Sequence, residues 1–308
     1  MSYALLLATT LGALTVLPTP FGLFSPGAGD PSNTVGASFT PDGHTVYYAK
    51  AQPGYTGLTF FYSKQENGEW SPPQVAPFSG IYRDTDPTVT LDGSAVIFAS
   101  ARPPGDGGTT YKLWIAYLKG PKAGSTEMLS PSINAAGSEG HPSVARDGTL
   151  YYSKSTGALR RLYRASMSQG SFGIPELLDI PGDTQQIGDI DPAIAFDQSF
   201  LVFSSNRADS LGGNDLYLSF HRDGHWCKPY HFEAPINSAA AEFAPELSSD
   251  ARTLYFASTR TAVEQPRTNP ATQESFKAEL NQYAHGSART YQVSLSSWLG
   301  GHRDDPCM

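Results

Sequence analysis

Ten aligned positions carry most of the side chains in this sequence that could do chemistry. Five of them are Thr34, Asp84, Glu139, Asp189 and Glu242, and two residues further on stand Gly36, Asp86, His141, Asp191 and Ala244. Each pair comes just before a Pro or Ala: Ala37, Pro87, Pro142, Pro192 and Pro245. Seven of the ten are Asp, Glu or His. Carboxylates gathered around one axis could hold a divalent cation such as calcium, because hard cations take several oxygen ligands. Asp86, Asp189 and Glu242 are the candidate metal ligands. Paired carboxylates with separated pKa values could instead do acid/base work, as in glycosidases. His141, Asp191 and Glu139 are the candidate catalytic groups.

Cations recur as well. Arg102, Arg207 and Arg260 each lie two residues past a serine (Ser100, Ser205, Ser258), and the other two copies have Gln52 and Thr156 there. Such arginines could form a fork for a ligand carboxylate or phosphate. With Arg83, Asp84 and Phe243 they make up the candidate ligand-binding set. A structural role competes at every one of these positions. Asp and Glu at loop-to-strand junctions accept bonds from nearby backbone N–H groups, and the arginines could simply bridge to the acidic loops. A feature present in four of five copies is more often architectural. Function more often breaks a repeat, as His141, Tyr82, Arg83 and Phe243 do.

These positions are set by a repeat. Phe39-Thr40-Pro41-Asp42-Gly43 reads as a tight turn feeding a strand, and it returns at Asp92, Asp147, Asp197 and Asp250. The turn aspartates are 50, 55, 50 and 53 residues apart. A fixed period of this size marks a repeat architecture. Each copy supplies four strands: a short innermost one after the Pro or Ala, a second alternating aromatic and small residues, a third, and a Pro-punctuated fourth. The third strands are expected over 58–64, 112–118, 161–167, 215–220 and 290–295. Turns such as Glu66-Asn67-Gly68 and Arg222-Asp223-Gly224 lead into the fourth. The fold class expected is all-β, a five-bladed propeller of four-stranded blades. A sixth blade would need a sixth Asp turn, and there is none. Residues 18–26 resemble the closing segments 69–78 and 225–232, so the N-terminal segment should complete the last blade. One insertion breaks the pattern at 261–288. A helix is expected over about 270–285, with Asn269 as cap, Pro270 at its first position, Gly286 as its stop, and Phe276, Leu280 and Tyr283 on one face.

These motifs resemble the TolB-type propeller repeat, a Pro-Asp-Gly relative of the WD repeat. The matching text is the Asp-Gly turn with its following aromatic strand, then Ser205-Asn206-Arg207 and Gly212-Gly213-Asn214-Asp215-Leu216-Tyr217. The likeness covers residues 18–295. Gln198 and Ala251 depart from it, replacing Gly in the last two turns. The resemblance implies fold more than function, since such propellers include periplasmic scaffolds, domains that gate peptidases, and sugar-active lyases.

Strand order puts the entry loops and the loops between second and third strands on one face, where sites sit on a rigid scaffold. Two functions follow. One is a binding or scaffolding propeller that presents this face to a protein, peptide or glycan. The other is a hydrolase or lyase acting on a glycan or small polar substrate at the acidic mouth, with the inserted helix as a lid. No GxSxG, HExxH, P-loop or GxGxxG motif is present. The net charge of −8 argues against a nucleic-acid partner. Residues 4–17 form an apolar run of signal-peptide length, too short to span a bilayer. Residues 1–17 are therefore set apart from a propeller domain over 18–308. A periplasmic or extracellular location is expected, with a cytoplasmic one as the alternative. Cys227 and Cys307 could pair there, which would tether the C-terminal tail.

Overall fold

A computed structural model describes residues 17–18, 32–105, 110–182, 188–263, 267, 269–302 and 307. Five antiparallel sheets form the blades. Their innermost strands are Asn33–Phe39, Asp84–Val89, Ser138–Val144, Ile190–Ile194 and Glu242–Leu247. Their third strands are Thr59–Glu66, Lys112–Tyr117, Leu159–Ala165, Asp215–Arg222 and Arg289–Ser294, close to expectation. The outer strands are short or broken. Glu69–Trp70 and Gln74–Val75 both pair with the third strand of blade 1, because Pro72 and Pro73 between them cannot donate to a ladder. The N-terminus closes the ring: Leu17 pairs with Gln292 and Pro18 with Tyr291, supplying the outer strand of blade 5. The rest of the expected closing segment, 19–26, lies outside the described residues, as does the apolar run 4–16.

Turn chemistry explains the repeat. Asp42 Oδ1 accepts from Thr40 Oγ1 at 2.6 Å and from the His44 N–H at 3.0 Å. Asp92, Asp197 and Asp250 do the same for the residue two positions on. These bonds hold the Asp42, Asp92 and Asp250 carboxyls below the usual carboxylate range. Asn67 and Gly68 both have positive φ (53° and 83°), as the predicted two-residue hairpin requires.

The second strands are buried on both faces, because each blade is sandwiched between two others. Ala95–Ser100 and Phe200–Ser205 are buried throughout. The core lies between blades rather than in one centre. Phe60 of blade 1 meets Phe98 of blade 2 edge-on at 5.5 Å, and Phe78 packs on both. Each such ring contributes about 1.5–3 kcal/mol by leaving water.

The innermost strands begin about three residues earlier than the sequence suggests. Each contains a bulge, with ladder register shifting at Val35/Ser38, Thr85/Thr88, Gly140/Ser143, Ile190/Ala193 and Phe243/Glu246. At every bulge the residue before the Pro or Ala is left-handed: Gly36, Asp86, His141, Asp191 and Ala244 have φ between 46° and 61°. The Pro marked a strand start in the sequence because it cannot donate. On an innermost edge that missing donor costs nothing, so the strand runs through it. Nine of the ten aligned residues are therefore strand or bulge residues rather than loop residues, and Asp189 lies directly before its strand.

The inserted helix also differs from expectation. It spans Gln273–Leu280, not 270–285. Thr272 caps it rather than Asn269, in a reciprocal capping box with Ser275 that satisfies two orphan N–H groups. It stops at Asn281, well before Gly286. Phe276 and Leu280 are half-exposed, while Tyr283 meets the Tyr291 ring edge-on.

Cys227 and Cys307 form a disulfide across 80 residues. Beside it, the C-terminal helix Ser296–His302 packs Trp298 edge-on against Phe232 at 5.0 Å. No helix among the described residues is long and apolar enough to cross a membrane.

Candidate functional site

The aligned side chains separate into an outer ring and an axial cluster. The outer ring is Asp84, Glu139, Asp189 and Glu242, all buried. In blade 2, Asp84 Oδ1 accepts from Ser100 Oγ at 2.6 Å and Arg102 Nη2 at 2.9 Å, and Oδ2 from Ser79 Oγ at 2.6 Å. In blade 4, Asp189 takes Ser205 Oγ at 2.5 Å and Arg207 Nη2 at 2.6 Å. In blade 5, Glu242 Oε1 takes Ser258 Oγ at 2.6 Å, Ser238 Oγ at 2.7 Å and Arg260 Nη2 at 3.1 Å. The serine stands 16 residues after the acid and the arginine 18 after it, in all three blades.

Each arginine does more than neutralise. Arg102 also donates to the Phe78 carbonyl, Arg207 to Pro181 and Arg260 to Pro235 and Ile236. These carbonyls belong to the segment closing the preceding blade, so each guanidinium stitches two blades together. The guanidinium also lies over the ring two residues before the serine: Arg102 over Phe98, Arg207 over Phe203 and Arg260 over Phe256, at 4.9 to 5.5 Å. Blade 3 has no such arginine. Lys112 of blade 2 donates to Glu139 Oε2 at 2.8 Å and to the Ala135 and Gly137 carbonyls, and Lys154 stands 3.8 Å away.

The axial cluster is Asp86, His141 and Asp191, with Glu246. His141 Nδ1 lies 3.6 Å from Asp86 and 3.8 Å from Asp191, and Nε2 lies 3.9 Å from Glu246 and 3.2 Å from the Pro245 carbonyl. The bulges aim backbone N–H groups here: His141 N–H donates to Asp86 Oδ2 and Ala244 N–H to Asp191 Oδ2, both at 3.1 Å. The imidazole is 2% exposed. Burial alone would push its pKa down, but the facing Asp191, Asp86 and Glu246 carboxyls carry it up to about 10. Burial and the two aspartates push Glu246 up to about 8 against the pull of His141. These three carboxyls favour the protonated, cationic imidazole.

The structure thus brings His141 and Asp191 together and leaves Glu139 apart, in the lysine-paired ring. Of the expected metal ligands, Asp86 is axial while Asp189 and Glu242 are in the ring. Among the described residues no three His, Cys, Asp or Glu side chains are grouped to hold a metal ion. The guanidinium groups of Arg102, Arg207 and Arg260, expected to fork a ligand, are engaged by Asp84, Asp189 and Glu242. Arg83 and Phe243 lie instead on the rim. Arg83 donates to the Tyr55 carbonyl at 3.0 Å and sits over the Tyr111 ring, and Tyr55 meets Phe243 edge-on at 6.3 Å. Beside them, Ile81 is 86% exposed and Tyr82 40%. Glu246 was missed by the sequence reading. Its column otherwise reads Ser38, Thr88, Ser143 and Ala193, so one acid among small residues was the available signal.

No family model matches this chain, and no curated protein matches its sequence. Similar solved structures align at low identity. The family-43 thermostable glycoside hydrolase structure aligns at 13% identity with a TM-score of 0.56, covering 89% of this chain and 91% of that one. A protein assigned as TolB from Agrobacterium tumefaciens aligns at 12% identity and TM-score 0.51, covering 86% and 91%. TolB from Acinetobacter baumannii gives 12% and 0.51 over 85% of this chain, which spans about half (55%) of that longer protein. At such identities the likeness fixes the architecture alone: this is a five-bladed β-propeller with TolB structures among its neighbours.

Proposed function

We propose that the protein is an exported, non-catalytic propeller that binds a protein or peptide partner on its entry-loop face. One observation carries this: each ring acid is engaged by a cation from its own scaffold. Enzymatic attack on a glycan would need two carboxyls facing an open cleft, whereas here the ring carboxyls face guanidinium, ammonium and hydroxyl groups. The same rim carries Ile81 and Tyr82, flanked by Arg83, Tyr55, Tyr111 and Phe243. Exposed aliphatic and aromatic side chains beside arginine have the composition of a protein-binding patch. Export is supported by the Cys227–Cys307 disulfide, since such bonds persist in oxidising compartments.

Photo-crosslinking in the protein's own cells tests this. A photoreactive residue in place of Tyr82 should give one discrete protein adduct that Ile81→Asp removes, and the same group at Asp42, on the opposite face, should give none. Equal labelling from both faces, or hydrolysis of a glycan by the purified chain, would overturn the proposal.

A further inference from the structure

Away from the entry loops, the axis opens into a cavity of about 260 Å³. Its rim is formed by the turns between innermost and second strands, including Thr40, Leu91 and Ser248. Its walls include Phe39, Trp70, Phe196 and Tyr255. The Phe39 ring lies 4.9 Å from Tyr255 and 6.2 Å from Trp70. Glu246 lines the same cavity and is the one carboxyl group among its lining residues.

Glu246 does not look like a packing residue. Its side chain is 9% exposed, yet Oε1 accepts no hydrogen bond. The nearest cation, His141 Nε2, is 3.9 Å away and directed at the Pro245 carbonyl. Burying a carboxyl without donors is costly. The equivalent residues in other blades are small, and those with a hydroxyl are engaged: Ser38 accepts from the Val89 N–H and Ser143 from the Ile194 N–H. A repeat that carries a hydrogen-bonded hydroxyl at this position in three blades and Ala193 in a fourth carries here an acid with an unmet oxygen.

Two chemistries therefore meet in one pocket, aromatic walls and a carboxyl short of donors. Together they recognise an ammonium group, by cation–π attraction at the rings and by charge at the oxygen. We propose that this cavity binds a small organic cation, a primary or quaternary ammonium on an apolar body, with its head at Glu246. The charge balance agrees once Glu246 is ionised. Glu246, Asp86 and Asp191 are then three carboxylates against the single imidazolium of His141, so a further cation is attracted and an anion is not. The volume suits a small ligand.

Calorimetric titration of the full chain at pH 8.5, where Glu246 is ionised, tests this with three matched probes. These are 2-phenylethylammonium, the neutral 2-phenylethanol and the anionic 3-phenylpropionate. The ammonium should bind at least tenfold tighter than the alcohol, and the anion should give no binding heat. Glu246→Gln should erase the preference for ammonium over alcohol, and Trp70→Leu should weaken both. Ile81→Asp should change nothing, because the partner patch is on the other face, so failure of one proposal leaves the other standing. No binding of the ammonium, equal binding of ammonium and alcohol, or a preference that survives Glu246→Gln would overturn it. The three-probe comparison on the unaltered chain needs no variant to fold.

Discussion

Buried charge in this propeller is handled in two ways. Asp84, Asp189 and Glu242 each meet a guanidinium and at least one hydroxyl, so their lone pairs are met within the blade. On the axis, one imidazole is shared by three carboxyls at 3.6 to 3.9 Å, which is too loose to satisfy them all. That difference fixes the sign of a pH effect. Glu246 and His141 both have raised pKa values, to about 8 and about 10. A raised folded-state pKa means the folded state holds its proton more tightly. The stability from Glu246 is complete below about pH 4.5 and is lost as pH rises through 8. That from His141 is complete below about 6.5 and is lost through 10. The melting temperature should therefore fall between pH 6 and 10, and Glu246→Gln should flatten the lower part of the fall. A melting temperature that rises over that range would contradict the pKa directions assigned here.

At the scale of elements, the Asp turns show how one residue type sustains a repeat and what departures cost. Gln198 and Ala251 occupy the turn position that is Gly43, Gly93 and Gly148 elsewhere, and both are left-handed, at φ 60° and 55°. Gln198 compensates: its amide bridges Tyr151 Oη at 2.7 Å and Asp147 Oδ2 at 2.9 Å, joining blades 3 and 4. Ala251 has no polar group with which to do so. Ala251→Gly should thus stabilise by about 1 kcal/mol, by relieving a left-handed Cβ. Gln198→Gly should give no gain, because the relieved strain is offset by two lost bonds of about 1 kcal/mol each. Urea unfolding of the two variants checks the contrast; equal gains would show that the bridge contributes nothing. The blades themselves were legible in the sequence because turn and strand signals are local. Third strands ending within two residues of expectation show this. The bulges were not legible, since a left-handed Asp or His before Pro leaves no mark in one sequence. The helix start was misplaced because Asn269-Pro270 and Thr272 with Ser275 are rival caps, and reciprocal bonds decided for the second.

At the scale of the whole molecule, the ring is closed twice. Leu17–Pro18 completes blade 5. The start of blade 1 also bonds to blade 5, through Thr34 N–H to the Ala288 carbonyl at 3.0 Å and Asn33 Oδ1 from the Ala288 N–H at 2.8 Å. The Cys227–Cys307 bond then ties the C-terminal tail to blade 4. Closing a loop of 80 residues is worth roughly 4 kcal/mol in the chain-entropy picture. Cys307→Ser should lower stability by up to that amount while leaving partner crosslinking at Tyr82 intact; an unchanged unfolding midpoint would show that the tail contributes nothing. The ten aligned residues were visible in the sequence as one set. Their division was not, because it depends on which cation each acid meets, and those hydrogen bonds join residues 18 to 27 positions apart, some across blades.

The central claim is that the acidic ring is scaffold rather than active site, and a double-mutant cycle at Asp189 and Arg207 tests it most directly. Removing one partner of a buried pair leaves the other uncompensated, at about 3–5 kcal/mol. Asp189→Asn and Arg207→Met should each cost about that much in denaturant unfolding, and the double variant much less than their sum. Single variants that unfold like the parent, with additive effects in the double, would mean the carboxylate is held free, as a functional group would be, and would contradict the account.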